Sequence, residues 1–220
     1  HLHLHLQATQ HLPGSAELWF LRVTQKVKDQ ADQAEILETL ETAVSSAGLQ
    51  WDSKNLWSLF AMCLTDFGDI AGALSVYQRA VRVPAAEVKQ HVIHLQELLV
   101  AHAPEKEQDI MEEVVKSVGD VQKEVERRLK YESCFNSVHS TKPSKREMST
   151  YADYIEYLKN SGSSEEVRLV YERCLARSCR EEELWLQWAH WEQGLEAGGR
   201  LESVLLRGVL CLPNNTALHF

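Results

Sequence analysis

The sequence contains few residues that interrupt helices and has no long apolar run. Of its 220 residues, only five are prolines and ten are glycines, and most of these lie between segments with helical periodicity. No run of about 18 apolar residues occurs, so no membrane-spanning segment is predicted. The hydrophobic content of 44% is sufficient for a buried core. These features together predict an all-α protein.

Positive charge and paired cysteines are also scarce. Lys and Arg number 23 against 32 Asp and Glu, and the resulting net charge of −9 makes the chain as a whole repel a phosphate backbone. The five cysteines are an odd number and include no Cys-x-x-Cys spacing. This usage favours reduced thiols of an intracellular protein over a disulfide framework or a zinc site. We therefore expect no cofactor and no metal.

Four segments share one pattern, in which a helix that begins with an aromatic residue is followed by a second apolar helix. The leading aromatics are Trp19, Trp57, Tyr151 and Trp185. Their second helices align at a nearly constant offset, at Leu40, Tyr77, Tyr171 and Leu206. The steps from Trp19 to Trp57 and from Tyr151 to Trp185 are within the range of helical solenoid repeats. The pattern predicts an α-solenoid of TPR-like helical hairpins.

Aromatic residues on successive turns of these helices form apolar stripes. Residues three or four positions apart share one helix face, and a single hairpin leaves an apolar flank that only a neighbouring hairpin covers. We predict that the packing core between repeats consists of Trp19, Trp57, Phe60, Tyr77, Tyr151, Tyr154, Tyr171, Trp185 and Trp188. Exposed aromatic stripes would instead stack on nucleic-acid bases.

One helix is predicted to be much longer than the others. From Glu105 to about Ser137, apolar residues recur every three or four positions without a proline, and the polar stretch 140–144 that follows predicts a hinge. We expect residues 1–103 to be the end of an amino-terminal array and residues 104–144 to be a long linker helix with its hinge. Residues 145–220 are then the start of a carboxy-terminal array.

The basic residues are concentrated on this long helix. Candidates for phosphate contacts there are Lys123, Arg127, Arg128 and Lys130. Three glutamates are interleaved with them, which is typical of an ordinary solvated helix face. The two interpretations differ in whether the isolated chain retains RNA in a salt-sensitive manner.

No catalytic motif is recognisable. The sequence contains no Gly-rich phosphate loop, no Gly-x-Ser-x-Gly and no His-Glu-x-x-His. His91, His94 and Glu97 share a predicted helix, but two imidazoles without a third fixed ligand are weak evidence for a metal site. We therefore expect that the chain is not an enzyme.

The repeats also resemble a known family. The spacing Trp185-x-x-Trp188 and the run Tyr171-Glu172-Arg173 resemble the HAT (half-a-TPR) repeat of RNA-processing scaffolds. Beyond the repeat pattern, several segments resemble, in the same order along the chain, the two arrays of the pre-mRNA-processing factor 39 family. The resemblance extends from about residue 13 to residue 220. The segments that carry this resemblance are 43–48, 56–57, 68–70, 76–79, 83–84, 131–132, 139, 142–143, 154–157, 172–174 and 183–185.

This resemblance implies a non-catalytic protein–protein interaction scaffold in pre-mRNA splicing, associated with the U1 snRNP and 5′ splice-site recognition. It implies a nuclear protein whose partners are snRNP proteins and whose contact with RNA is indirect or weak. It also implies dimerisation, as a homodimer or as a heterodimer with a paralogue. The alternatives are a HAT scaffold of U4/U6 snRNP recycling, 3′-end cleavage or the small-subunit processome, or a direct RNA-binding helical-repeat module.

Overall fold

The computed structural model describes residues 2–135, 143–195 and 198–214, and most of these are helical. These ranges contain eleven helices and no strand, so the all-α prediction is confirmed. None of the described helices has the length and apolar character that a membrane span requires. In chain order the helices are α1 Leu2–His11, α2 Ala16–Lys28, α3 Gln33–Ala47, α4 Lys54–Asp66, α5 Ile70–Ala80, α6 Val88–His102, α7 Pro104–Glu132, α8 Lys145–Ser161, α9 Ser164–Ser178, α10 Glu182–Gly194 and α11 Gly198–Cys211.

The chain divides into two compact units, residues 1–133 and residues 134–220. The first unit contains α1 to α7 and the second contains α8 to α11. The boundary follows the long helix α7, which therefore belongs with the first unit. The three-part division into two arrays and a linking helix stays a prediction.

Consecutive helices pack against one another within each unit. In the first unit, α2 packs on α3, α4 on α5 and α6 on α7. The leading helices of neighbouring pairs, α2 with α4 and α4 with α6, are also in contact. In the second unit, α8 packs on α9, α9 on α10 and α10 on α11. Contact between successive leading helices is the arrangement of a helical solenoid, as the sequence predicted.

Polar side chains satisfy backbone N–H groups where several helices begin. The first turn of an α-helix has N–H groups without a partner inside the helix, and a preceding Ser or Asp accepts from them. The hydroxyl of Ser15 accepts such a bond at the start of α2. Capping boxes begin α8, with Ser144 and Glu147, and α9, with Ser163 and Glu166. These caps determine where α8 and α9, the first two helices of the second unit, begin.

Two apolar clusters fill the first unit. The larger one lies among α2 to α5, where Val23, Leu40 and Ala73 are completely buried. The other contains Leu95 and Leu99 of α6 together with residues of α5 and α7. The apolar residues that α7 contributes to this cluster lie in its first half.

The long helix α7 ends earlier than its periodicity predicted. Its 29 residues make it roughly 43 Å long at the usual rise of about 1.5 Å per residue. The helix ends at Glu132 instead of near Ser137, and the N–H of Ser133 bonds to the carbonyl of Leu129 at 2.9 Å. Residues 136–142, which include the start of the predicted hinge, lie outside the described residues. Pro143 and Ser144 are not helical and directly precede α8.

Candidate functional site

Three tryptophans connect their helices by a hydrogen bond to the segment that follows the preceding helix. Each is the fourth residue of its helix, is buried, and donates its indole N–H to a backbone carbonyl just after the end of the preceding helix. Carbonyls at a helix end lack a partner inside the helix, so the indole satisfies one of them while its ring packs in the core. The bonds join Trp19 to Pro13 at 2.7 Å, Trp57 to Gly48 at 2.9 Å and Trp185 to Cys179 at 2.8 Å.

An arginine of the second helix lies over the ring of the leading aromatic in two of the hairpins. The guanidinium carbon of Arg79 is 5.3 Å from the ring centre of Trp57, and that of Arg207 is 6.0 Å from the ring centre of Trp185. Each arginine also bonds to a glutamate on the second helix of the preceding hairpin, so it joins three helices. These ion pairs are Arg79–Glu41, at 2.8 and 2.9 Å, and Arg207–Glu172, at 2.7 Å.

Tyr151, the leading aromatic of the first hairpin in the second unit, has a different environment from the three tryptophans. Because α8 begins one turn earlier than the other leading helices, Tyr151 is its seventh residue. Its ring stacks on Phe135, with ring centres 4.0 Å apart and an interplanar angle of 16°. Arg173, at the corresponding position of the second helix, lies 5.1 Å from the ring centre of Phe135. This hairpin therefore has an arginine at the same position, but the arginine lies over Phe135 instead of over the leading aromatic.

The nine aromatics predicted for the packing core lie mostly in the interior. Tyr77 is half-buried, beside His91 and His94, with ring centres 6.0 and 5.8 Å away. Buried rings are not available to stack on nucleic-acid bases. The contribution of these side chains to stability stays a prediction. The other eight have exposed fractions from 1% to 5% and are Trp19, Trp57, Phe60, Tyr151, Tyr154, Tyr171, Trp185 and Trp188.

A buried carboxylate in the second unit was missed by sequence reasoning. Glu192 of α10 is completely buried and accepts bonds from Arg168 of α9, from Nε at 2.6 Å and from Nη2 at 2.8 Å. It also accepts the indole N–H of Trp188 at 3.1 Å, and the Trp188 ring stacks on Tyr171 with ring centres 5.5 Å apart. The bonds to Glu192 raise the pKa of Arg168. No local spacing pattern indicates this pair, because its members lie on different helices and far apart in the sequence.

The four predicted phosphate contacts do not form one exposed basic face. Lys123 bonds to Asp120 at 2.9 Å, and Arg127 lies 3.5 Å from Glu124. Arg128 is buried and donates from Nε to the same Glu124 at 2.8 Å, so its side chain does not face solvent. The ammonium of Lys130 lies 4.5 Å from the ring centre of Tyr131. A contact with phosphate stays a prediction for Lys123, Arg127 and Lys130, whereas burial opposes one for Arg128.

The two helical histidines lie against the core instead of forming a metal face. His91 is buried, and burial, followed by the neighbouring His94, lowers its pKa to about 4, so the imidazole is neutral at pH 7. Glu97, the third residue on this predicted helix face, is exposed. In the ranges that the structure describes, no group of three or more His, Cys, Asp or Glu side chains is arranged to hold a metal ion.

Two family models match the chain. The model described as PRP39 N-terminal HAT repeat matches residues 2–97, and the model described as PRP39 C-terminal HAT repeat matches residues 126–220. The chain belongs to the PRP39 HAT-repeat family. The first match covers α1 to α5 and most of α6, and the second begins near the end of α7 and continues through α11. Most of α7 lies between the two PRP39 matches.

Two relatives carry the same family name. The chain is 20% identical over 239 residues to Pre-mRNA-processing factor 39 of Xenopus laevis, a match that covers 84% of the chain and 37% of the relative. It is 22% identical over 242 residues to Pre-mRNA-processing factor 39 of Danio rerio, with 82% of the chain and 32% of the relative covered. The chain therefore spans about a third of the length of these PRP39 relatives.

Proposed function

We propose that this chain is part of a non-catalytic protein–protein interaction scaffold that acts in pre-mRNA splicing in the nucleus. Membership of the PRP39 HAT-repeat family supports this role, as do relatives that are named pre-mRNA-processing factors. Stacked helical hairpins provide an extended surface on which helices or tails of other proteins dock. The observation that carries the proposal is the recurrent indole bond, which joins three leading helices, α2, α4 and α10, to the segment that follows the preceding helix.

The proposed partners are proteins of the U1 snRNP, in the context of 5′ splice-site recognition. The proposal includes dimerisation, with a second copy of the chain or with a paralogue, which the molar mass from light scattering tests directly. RNA contact is indirect or weak in this proposal, because the chain has a net charge of −9. The exposed basic residues of α7 are also close to acidic ones: Lys123 bonds to Asp120, and Arg127 lies beside Glu124.

Cross-linking mass spectrometry in nuclear extract tests the proposal. We expect the wild-type chain to give cross-links to U1 snRNP proteins that survive treatment with ribonuclease. A variant with Lys123→Glu, Arg127→Glu and Lys130→Glu is expected to keep these cross-links. The matched control reverses three other lysines of α6 and α7, with Lys89→Glu, Lys106→Glu and Lys116→Glu.

The opposite result identifies a direct RNA-binding module. In that case, ribonuclease removes the cross-links, and RNA retention by the purified chain falls steeply with salt. Retention would then be lost in the Lys123, Arg127 and Lys130 variant and kept in the control variant. This outcome would contradict the protein-docking scaffold.

A further inference from the structure

The leading helix α6 is attached to the first unit differently from α2 and α4. His91 is the fourth residue of α6, the position that a hydrogen-bonded tryptophan holds in the other two helices. Its imidazole is buried, with an exposed fraction of 2%, but within the described residues its Nδ1 atom has no hydrogen-bond partner. A buried polar atom without a partner destabilises the folded state. The leading residue of α6 therefore packs in the interior at a cost that the tryptophans avoid.

A glutamate occupies the place of the stacked arginine in this hairpin. Glu113 of α7 follows His91 by the same offset by which Arg79 follows Trp57. A carboxylate does not make the cation–π contact that a guanidinium makes. Glu113 instead pairs with Arg82 of α5 at 2.8 Å, and the two side chains are 71% and 60% exposed. Such an exposed ion pair contributes little to stability, so it holds α7 to α5 only weakly.

The backbone that leads into α6 is strained at Glu87. Its φ is 59°, in the left-handed region that residues with a side chain rarely adopt. Its carboxylate pairs with Lys54 of α4 instead of capping α6. The N–H of Ala86 bonds to the carbonyl of Trp51 at 2.7 Å, which attaches the preceding residue to the segment between α3 and α4. A rotation at Glu87 therefore moves α6 relative to α4 and releases the strain.

The hairpin of α6 and α7 has its own apolar contacts. Five of the six buried members of its cluster belong to the hairpin, and the sixth is Val81, which directly follows α5. Partly buried side chains of α5 complete the contact. The larger cluster has twenty buried members, which lie among α2 to α5 and in the segment after α5. Separation of α6 and α7 from α5 therefore leaves most of both clusters intact.

We propose that α6 and α7 form a detachable hairpin, which opens at Glu87 while α2 to α5 stay folded, and that protonation of His91 drives this opening. The charged or titratable groups that face His91 are His94 of α6, Lys54 of α4 and Glu87, with Tyr77 of α5 packed beside the ring. Burial, followed by His94 and Lys54, lowers the pKa of His91 to about 4 in the closed hairpin.

The direction of the pH effect follows from the two states of the hairpin. In the open hairpin the imidazole of His91 contacts water, and its pKa returns to about 6.5. Between these pKa values the open form binds more protons than the closed form, so a decrease in pH favours opening. The equilibrium constant for opening should rise by about tenfold between pH 6.5 and pH 5.

Native-state hydrogen exchange of the full chain, read by mass spectrometry at low urea concentrations, tests the proposal. We expect the amides of α6 and α7 to exchange through a common opening. Its equilibrium constant should be about tenfold or more above that of α3 and α4 at the same pH. After correction for the intrinsic exchange rate, the constant for α6 and α7 should show the rise at low pH. Exchange of all these helices in one global step would overturn the detachable hairpin.

Three variants identify the group that drives the opening. His91→Leu is expected to reduce the rise between pH 6.5 and pH 5 to less than about twofold, because the proton uptake is removed. His94→Gln, on the same helix and beside the same Tyr77 ring, should keep most of the rise. His102→Gln is the matched control at an exposed histidine and should keep all of it. A rise that persists in His91→Leu, or that is lost in His94→Gln, would contradict the role of His91. Far-ultraviolet circular dichroism checks that each variant is folded.

Discussion

The indole nitrogen of Trp57 donates a hydrogen bond to the carbonyl oxygen of Gly48 at 2.9 Å, and the same ring lies close above the glycine. A Cβ atom placed on Gly48 would be 2.8 Å from Cζ2 of Trp57 and 2.3 Å from the carbonyl oxygen of Val44. The hydroxyl of Ser53 donates to the same Gly48 carbonyl at 2.8 Å. Gly48 is therefore the position where α3 ends and where the Trp57 ring of the next hairpin packs against the backbone.

A side chain at Gly48 is expected to destabilise the first unit. Gly48→Ala should lower the free energy of unfolding by about 2 to 4 kcal/mol, because the backbone and a packed indole must move to make room. Gly119→Ala in α7 is the matched control, since its new Cβ meets open space, and it should stabilise the chain by up to about 1 kcal/mol. Urea unfolding followed by circular dichroism measures both changes. Equal midpoints for the two variants would contradict the close approach.

Separate substitutions at Trp185 distinguish the indole bond from the packing of its ring. Trp185→Phe keeps an aromatic ring but leaves the Cys179 carbonyl without the indole N–H. It should lower the free energy of unfolding by about 1 to 2 kcal/mol. Trp185→Ala removes the buried ring as well and should cost about 3 to 5 kcal/mol. Circular dichroism melts of both variants test this order. A melt of Trp185→Ala close to that of wild type would show that the ring does not support the core.

Much of the fold could be predicted from the sequence because helix caps and apolar periodicity are local. Ser15, a residue type that favours helix starts, directly precedes α2 and caps it. The end of α7 was predicted poorly, since apolar residues at Val125 and Leu129 continue the pattern without indicating where the helix stops. Gly48 directly follows α3, a position where glycine usually has a positive φ. Its φ is −66°, however, and the close approach of the Trp57 ring explains the glycine.

The packing residues could be predicted only where they recur with the repeat. Each leading aromatic precedes its second helix by a nearly constant offset, so the common position of these aromatics could be predicted without coordinates. The pair Arg168–Glu192 occurs once, and Glu192 resembles an ordinary surface residue in the sequence, so nothing local indicated its burial. The constant offset from Trp57 to Arg79, which recurs in the last hairpin, could have indicated the stacked arginine, but it does not identify the partner carboxylate.

Removal of the Glu192 carboxylate is expected to be costly. Glu192→Ala leaves the guanidinium of Arg168 without its main partner and the indole N–H of Trp188 without an acceptor. The substitution should lower the free energy of unfolding by about 3 to 5 kcal/mol. The control is Glu112→Ala, which breaks an exposed pair with Lys116 and should cost less than about 0.5 kcal/mol. Urea unfolding compares the two variants.

A double substitution separates the buried charge from the space that it fills. Arg168→Met combined with Glu192→Leu removes both charges and keeps apolar volume, and should recover most of the stability that Glu192→Ala loses. If the double variant is as unstable as Glu192→Ala, the loss arises from packing or from the Trp188 bond and not from an uncompensated charge.

His91 is expected to make the stability of the first unit depend on pH. Its pKa is about 4 in the folded chain, against about 6.5 for an unperturbed histidine, so between these values the unfolded chain binds more protons. The free energy of unfolding should therefore be highest above about pH 6.5 and fall as pH decreases towards 4, by up to about 3 kcal/mol. The charged or titratable groups around His91 are His94, Lys54 and Glu87, with Tyr77 packed beside it.

Carboxylates also begin to titrate in the lower part of this range, so the contribution of His91 is the difference between matched variants. In His91→Leu, the loss of stability between about pH 6.5 and pH 5 should be smaller than in wild type, because the proton uptake on unfolding is removed. His102→Gln, at an exposed histidine of the same helix, should keep the wild-type slope. Urea unfolding at half-unit pH steps measures these slopes. Equal slopes for wild type and His91→Leu would mean that His91 protonates as readily in the folded chain as in the unfolded one.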